Sequence, residues 1–262
     1  MKKAFLATLF LSLAVSGYAA SDDFSGFSVG LDTGLSIQES AAEANYRHIN
    51  LFAGAQDQFI EGFQRTDDDH GVTFVSSLNL DYNHPLDKRW YLGAGGSLFF
   101  EQEKHLESQA YAMPNPNNRA DFAIDYKVKT DIDPKDHFSI GLKPGYALTD
   151  NLLAYVSLSY HRMDAHVLNR QLLGLSSLNQ QSIVLKDAGQ SQLFEGWGVG
   201  GGFKYRISKR WLLNLSAEWV RFGEESILGP TLRSVPDEAT ITQFIDVRPT
   251  WIDVRFGLSY KF

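Results

Sequence analysis

The chain has 262 residues, 24 Lys plus Arg against 31 Asp plus Glu, a net charge of −7, 44% hydrophobic residues and no Cys. The lack of Cys excludes a disulfide scaffold, a thiolate metal site, a Cys nucleophile and an iron–sulfur centre. The acidic balance argues against a nucleic-acid partner, which would require basic stripes to neutralise phosphates.

Met1-Lys2-Lys3, the apolar run from Ala4 to Val15, and the small residues Gly17 and Ala19 have the order of a secretory leader cut before Ala20. The run is too short to span a bilayer as a helix, and no later apolar run reaches the roughly 18 residues that a spanning helix needs. The expected organisation is a signal peptide at 1–19 and one exported domain at 20–262. The leader takes away two of the 24 basic residues and none of the 31 acidic ones, so the mature chain carries −9.

From residue 27 onward the chain alternates with the period of two that sets successive side chains on opposite faces of a strand. In the first segment Phe27, Val29, Leu31, Thr33, Leu35 and Ile37 oppose Ser28, Gly30, Asp32, Gly34, Ser36 and Gln38. In the second Val72, Phe74, Leu78, Leu80 and Tyr82 oppose Thr73, Ser77, Asn79, Asp81 and Asn83. The third sets Trp90, Leu92, Ala94, Leu98 and Phe100 against Gly93, Gly95, Ser97 and Glu101. The fourth sets Phe138, Ile140, Leu142 and Tyr146 against His137, Ser139, Gly141, Lys143 and Gly145. The fifth is less regular, with Leu152, Val156, Leu158 and Tyr160 against Tyr155, Ser157, Ser159 and His161. In the sixth Trp197, Val199, Phe203 and Tyr205 oppose Gly198, Gly200, Gly202, Lys204 and Arg206. In the seventh Trp211, Leu213, Leu215 and Trp219 oppose Asn214, Ser216 and Glu218. In the eighth Ile252, Val254, Phe256, Leu258, Tyr260 and Phe262 oppose Asp253, Arg255, Gly257, Ser259 and Lys261.

Short connections at 83–89, 149–151 and 208–210 alternate strictly with long ones at 38–71, 102–136, 164–192 and 223–250. Short periplasmic turns and long extracellular loops are the normal form of a transmembrane barrel. Gly and Ser crowd the polar face and bulk crowds the apolar one, as a narrow interior and a lipid exterior require. A soluble sandwich would turn the apolar face inward. Tyr82, Trp90, Tyr146, Tyr205 and Trp211 cluster beside the short turns, and Trp219, Trp197, Tyr160 and Phe100 near the other ends, as two aromatic girdles. The expected fold is an all-β, eight-stranded antiparallel up-and-down transmembrane β-barrel. Ten strands are the alternative if 45–53 and 58–65 pair as a lipid-facing hairpin.

The terminal pattern Phe256-x-Leu258-x-Tyr260-x-Phe262 resembles the end of outer-membrane barrels that the insertion machinery recognises. Asp136 to Asn151 with the strand after it, and Gly202 to Trp211, resemble the central hairpin and last turn of the porin-like and opacity-like surface-antigen family of small OmpA/OmpX-type barrels. That resemblance implies an outer-membrane protein of a Gram-negative bacterium, monomeric, in contact with outer-membrane lipid, lipopolysaccharide and the barrel-insertion machinery. It also implies a structural, adhesion or host-interaction role through four loops and a host or surface ligand. Nothing follows the last strand, so a peptidoglycan-binding domain is not implied.

The inward set holds the acids Asp32, Asp81, Glu101, Glu218 and Asp253 and the bases Lys143, Lys204, Arg206, Arg255 and Lys261. An eight-stranded interior is just filled by side chains, and a buried charge must be paired. The set is read as a salt-bridge network that holds the barrel shut, with a gated ion path as the alternative. Strand adjacency makes Asp32–Arg255 and Glu218–Arg255 the expected pairs. His137-Phe-Ser139 has the spacing of lipid A-trimming barrels, but both polar side chains face inward and no acid follows in the strand. Asp67-Asp-Asp-His70 is a protease candidate only by composition, and His161 and His166 fall on different faces. No catalytic residue, metal or cofactor is expected. A small porin is the second reading and a lipid-modifying enzyme the third. Phe122, Ile124, Tyr126, Val128 and Ile132 keep the outward parity of the fourth segment, and 45–53 and 181–186 also read as strand, so ribbons are expected beyond the membrane.

Overall fold

The computed structural model describes residues 24–38, 45–50, 58–63, 71–101, 104–112, 124–175, 182–184, 188–228, 232–233, 240–242 and 244–262. The leader at 1–19, the acidic tract at 67–70, Phe122 and the ends of the two other expected ribbons (51–53, 181 and 185–186) lie outside them. Eight long strands build the barrel: β1 (Gly26–Gln38), β2 (Val72–Pro85), β3 (Trp90–Glu101), β4 (Ile124–Thr149), β5 (Leu152–Leu175), β6 (Ala188–Arg206), β7 (Trp211–Phe222) and β8 (Thr250–Lys261). Each pairs antiparallel with its neighbours in the chain, and β1 closes on β8 with Leu31 opposite Leu258. Closure leaves no strand of the ring with an unpaired edge in lipid.

The outward face is largely apolar, with Leu35, Phe74, Ile140, Val156 and Phe256 among its exposed side chains. On β3 it runs from Trp90 to Phe100. Ten steps of strand cover about 33 Å, and a tilt near 40° makes that about 25 Å of height, the thickness of a barrel's apolar band.

The ten-strand alternative does not occur. Asn45–Asn50 and Gln58–Phe63 pair with each other and join Thr240–Thr242 and Leu232–Arg233 in a separate sheet. The fourth segment does extend into a ribbon: β4 and β5 stay paired from Thr149 opposite Leu152 up to Ile124 opposite Leu175. That ladder is more than twice the roughly 10 residues a membrane crossing needs. Lys104–Ala112 pairs with the far half of β4, and Ser182–Val184 with that of β5.

The expected outward parity of Ile132 is wrong. The β4–β5 register shifts between Pro134 and Asp136, so Lys135 is an extra residue on one strand only. Such a bulge reverses which parity faces in. Below it Ile140 is exposed; above it Ile132 is buried, directly across from buried Val167. Pro134 sits at the bulge, one of the few places in a sheet where a missing N–H is tolerated.

Candidate functional site: the stoppered lumen

The inward face is layered by depth. At the short-turn end Phe24, Tyr91, Ala147, Leu153 and Leu212 form a buried apolar cluster. Phe24 lies just before β1 and folds under the barrel. Asn83 Nδ2 donates to its carbonyl at 3.2 Å, Tyr91 meets its ring edge-on at 6.0 Å, and the Arg206 guanidinium lies 5.7 Å from the ring centre. Arg206 also donates from Nη2 to Asn151 Oδ1 at 3.0 Å, so it belongs to the rim of the turn, half-buried, and not to the deeper charges.

Above this stopper lies the polar layer. Asp81 on β2 accepts from Lys143 on β4 at 2.6 Å and from Lys204 on β6 at 2.8 Å, one carboxylate bridging three walls. Asp32 accepts from Asn214 Nδ2 at 3.3 Å, and the same amide donates to Ser259 Oγ at 2.6 Å. This corrects the expected Asp32–Arg255 pair, and register gives the reason. Asp32 and Asn214 both stand level with Gly257 on β8, one inward position from Arg255. Gly257 leaves the space that the Asp32 carboxylate fills; a Cβ there would collide with it. Arg255 turns to Glu218 on β7 instead, at 2.6 Å, the second expected pair.

Glu218 anchors a chain of hydrogen bonds that the residue-by-residue reading did not assemble. Ser159 Oγ donates to Glu218 Oε1 at 2.5 Å and lies 2.9 Å from His161 Nε2; His161 Nδ1 lies 3.0 Å from His137 Nε2. One donor order satisfies the chain: His137 Nε2–H to His161 Nδ1, His161 Nε2–H to Ser159, and Ser159 to the carboxylate. Gly198 on β6 makes room for it, since a Cβ there would meet Ser159, His161 and Glu218 together. Phe99 stacks on His137 with ring centres 4.2 Å apart and offers its other surroundings to Arg255, whose guanidinium lies 5.0 Å from the ring.

The third layer is apolar again. Ile132, Met163, Ala165, Val167, Phe194, Val220, Phe222, Ile227, Val247 and Trp251 form one buried cluster over the histidines. Trp251 and Phe222 pack at 4.7 Å between ring centres and form its floor against His137.

Of the expected interior charges, Asp32, Asp81, Lys204, Glu218, Asp253, Arg255 and Lys261 are buried and Lys143 is half-buried. The side chain of Glu101 lies outside the described residues. A small cavity of about 30 Å³ sits among Asp32, Asp81, Lys143, Tyr155, Lys204 and Arg255, which is room for about two waters. The described residues hold no cluster of three or more metal-ligating side chains.

The two stoppers were missed from sequence, although a signal exists. Adjacent bulky pairs break the alternation near segment ends: Trp90-Tyr91, Phe99-Phe100, Leu152-Leu153, Leu212-Leu213, Trp219-Val220 and Trp251-Ile252. Strand geometry sends one member of each pair inward. On the outer face Tyr82, Trp90, Tyr205, Trp211 and Trp219 are exposed, with Tyr146 half-exposed, and Trp90 meets Tyr146 at 4.9 Å. Phe256, Leu258 and Phe262 are exposed there too, and Tyr260 partly so.

The family model described as the outer membrane protein beta-barrel domain matches residues 5–262. No curated protein matches the chain. Among solved structures it is similar to OprG of Pseudomonas aeruginosa, at 16% identity over 92% of this chain and 98% of that one, TM-score 0.41. It is similar to the attachment invasion locus protein Ail of Yersinia pestis, at 12% identity over 88% and 99%, TM-score 0.31. The outer membrane protease OmpT of Escherichia coli is also similar, at 10% identity over 92% and 100%, TM-score 0.39.

Proposed function

The chain belongs to the outer membrane protein beta-barrel domain family and is an outer-membrane protein, and from that premise we propose that it is a closed, non-catalytic barrel serving a structural and adhesive role through its extracellular face. The observation that carries this reading is the double stopper: the charged layer is shut between two buried apolar clusters. A hydrated ion meeting either cluster would have to shed its water against closely packed, mainly apolar side chains. The long β4–β5 ladder supports the surface role, since it carries paired backbone well past the apolar band.

Ser159, His161 and Glu218 are residue types of a hydrolase, but their arrangement supports a structural part. The serine donates to the carboxylate directly, His161 and Glu218 are fully or almost fully buried, and aromatic rings and the upper stopper cover them. The polar cavity favours the small-porin reading as the competitor.

Planar-bilayer recording separates the two. Reconstituted wild type is expected to pass no stable current. A stable conductance altered by Glu218→Gln or Arg255→Gln would establish the porin reading and overturn the sealed one. The surface role is tested by deleting 113–123, the connection between Lys104–Ala112 and β4, and measuring binding of whole cells to host-matrix proteins. Unchanged binding alongside a correctly folded barrel would count against adhesion through that ribbon.

A further inference from the structure

Two of the three short turns are copies of one another. Leu86-Asp-Lys-Arg-Trp90 joins β2 to β3, and Ile207-Ser-Lys-Arg-Trp211 joins β6 to β7. In each, the first N–H donates to the Trp carbonyl, at 2.8 Å from Leu86 and 2.9 Å from Ile207, and the second reaches the same oxygen at 3.3 and 3.4 Å. The second side chain caps the turn in both: Asp87 Oδ1 accepts the Lys88 N–H, and Ser208 Oγ accepts those of Arg210 and Trp211. The likeness extends to the next strand. Arg89 Nη1 donates to Tyr146 OH at 3.4 Å and Arg210 Nη1 to Tyr260 OH at 2.8 Å. Each Trp stands opposite the same Tyr in register and meets it edge-on, at 4.9 and 5.2 Å. The two turns lie four strands apart in a ring of eight, on opposite walls. The third turn, Thr149-Asp150-Asn151, has neither cation nor aromatic.

The exposure pattern is the same twice and is unlike that of a turn built for water. Leu86 is 62% and Trp90 53% exposed in one copy, Ile207 54% and Trp211 43% in the other. Each copy therefore offers an apolar residue, a Lys-Arg pair and a Trp along one short tip at the edge of the apolar band. Trp and Tyr settle at that depth, and Lys and Arg extend from it toward headgroups. The charged group found there in the periplasmic leaflet is the phosphate of a phospholipid. Each Tyr, packed against its Trp, holds the guanidinium in place, yet the tyrosine hydroxyl takes only one of the five N–H donors of the Arg, and an Arg fork suits the bidentate geometry of phosphate. We propose that these turns are two equivalent sites for the phosphate headgroup of an anionic phospholipid, Lys88 with Arg89 at one and Lys209 with Arg210 at the other. Tyr146 and Tyr260 act as positioning residues. Asp87 replaces Ser208 in the first copy and lowers its net positive charge, so the second site binds more tightly.

Native mass spectrometry of the detergent-solubilised full chain, with phosphatidylglycerol as probe and phosphatidylcholine as zwitterionic control, tests this. Wild type is expected to retain two phosphatidylglycerols in excess over phosphatidylcholine. Lys88→Gln with Arg89→Gln, or Lys209→Gln with Arg210→Gln, should retain one, with binding at the altered site weakened about fivefold per charge removed. All four substitutions together should abolish the excess. Tyr260→Phe should weaken only the second site, by a few-fold. Lys135→Gln with Arg248→Gln, which removes equal charge from the extracellular end, should retain two. Heat-modifiable gel mobility reports that each variant is folded. Equal retention by wild type and the fourfold variant, no preference over phosphatidylcholine, or the same loss in the extracellular control would overturn the proposal.

Discussion

The middle of the lumen and its two ends are built largely by the same strands, and on β5 with one unbroken parity, yet they are held by opposite means. β5 alone contributes Leu153 to the lower stopper, Ser159 and His161 to the polar layer, and Met163 to the upper stopper, every one of them inward. Burying a Leu- or Met-sized side chain stabilises by about 1.5–3 kcal/mol. A buried ion pair roughly breaks even against an apolar replacement of its size. The ends therefore supply most of the stability of the lumen, and the middle supplies a particular arrangement of walls. In that layer Asp81 ties β2 to β4 and β6, while Glu218 ties β7 to β5 and β8.

Breaking one partner in the middle is expected to have the largest effect. Glu218→Ala leaves Arg255 buried without its carboxylate and should cost about 3–5 kcal/mol, read from urea unfolding of the folded barrel in lipid vesicles. Replacing both partners, Glu218→Leu with Arg255→Met, should recover most of that loss; if the double variant is as damaged as the single one, the contrast between the layers fails. Next comes the lower stopper. Leu212→Ala should cost about 2–4 kcal/mol by the same measurement and still pass no current, because the upper stopper remains. Appearance of current in that variant alone would mean that the upper cluster does not seal. Smallest is Ser159→Ala, which removes one neutral donor from a carboxylate that keeps Arg255, at about 1–2 kcal/mol. A loss as large as that of Glu218→Ala would show that the Ser159–His161 chain, and not the ion pair, holds the wall together.

Strand number, pairing order and sidedness were legible because a period of two, repeated eight times with alternating short and long connections, admits few closed arrangements. Glu218–Arg255 was legible for the same reason: adjacent strands and inward parity bring the two residues near each other. Asp32–Arg255 was read wrongly because adjacency does not give register, and only the level of Gly257 shows that Asn214 is the nearer partner. Ile132 was misread because a one-residue bulge at Lys135 leaves the alternation of each half intact while inverting one against the other. The repeat of Lys-Arg-Trp was visible as letters, but its shared contacts with Tyr146 and Tyr260 cross between strands far apart in the sequence.

Within each unbroken run of strand, sequence alone determined which residues face lipid and which face inward, since the pleat of a strand turns alternation directly into two faces. It also determined that the inward charges would nearly balance. Depth along the lumen was decided only by closure: eight strands with a set stagger bring Tyr91, Leu153 and Leu212 to one level and Phe99, His137 and Trp251 to another. Parity is a property of neighbouring residues, whereas the layers that shut this barrel belong to strands that meet only when the ring is complete.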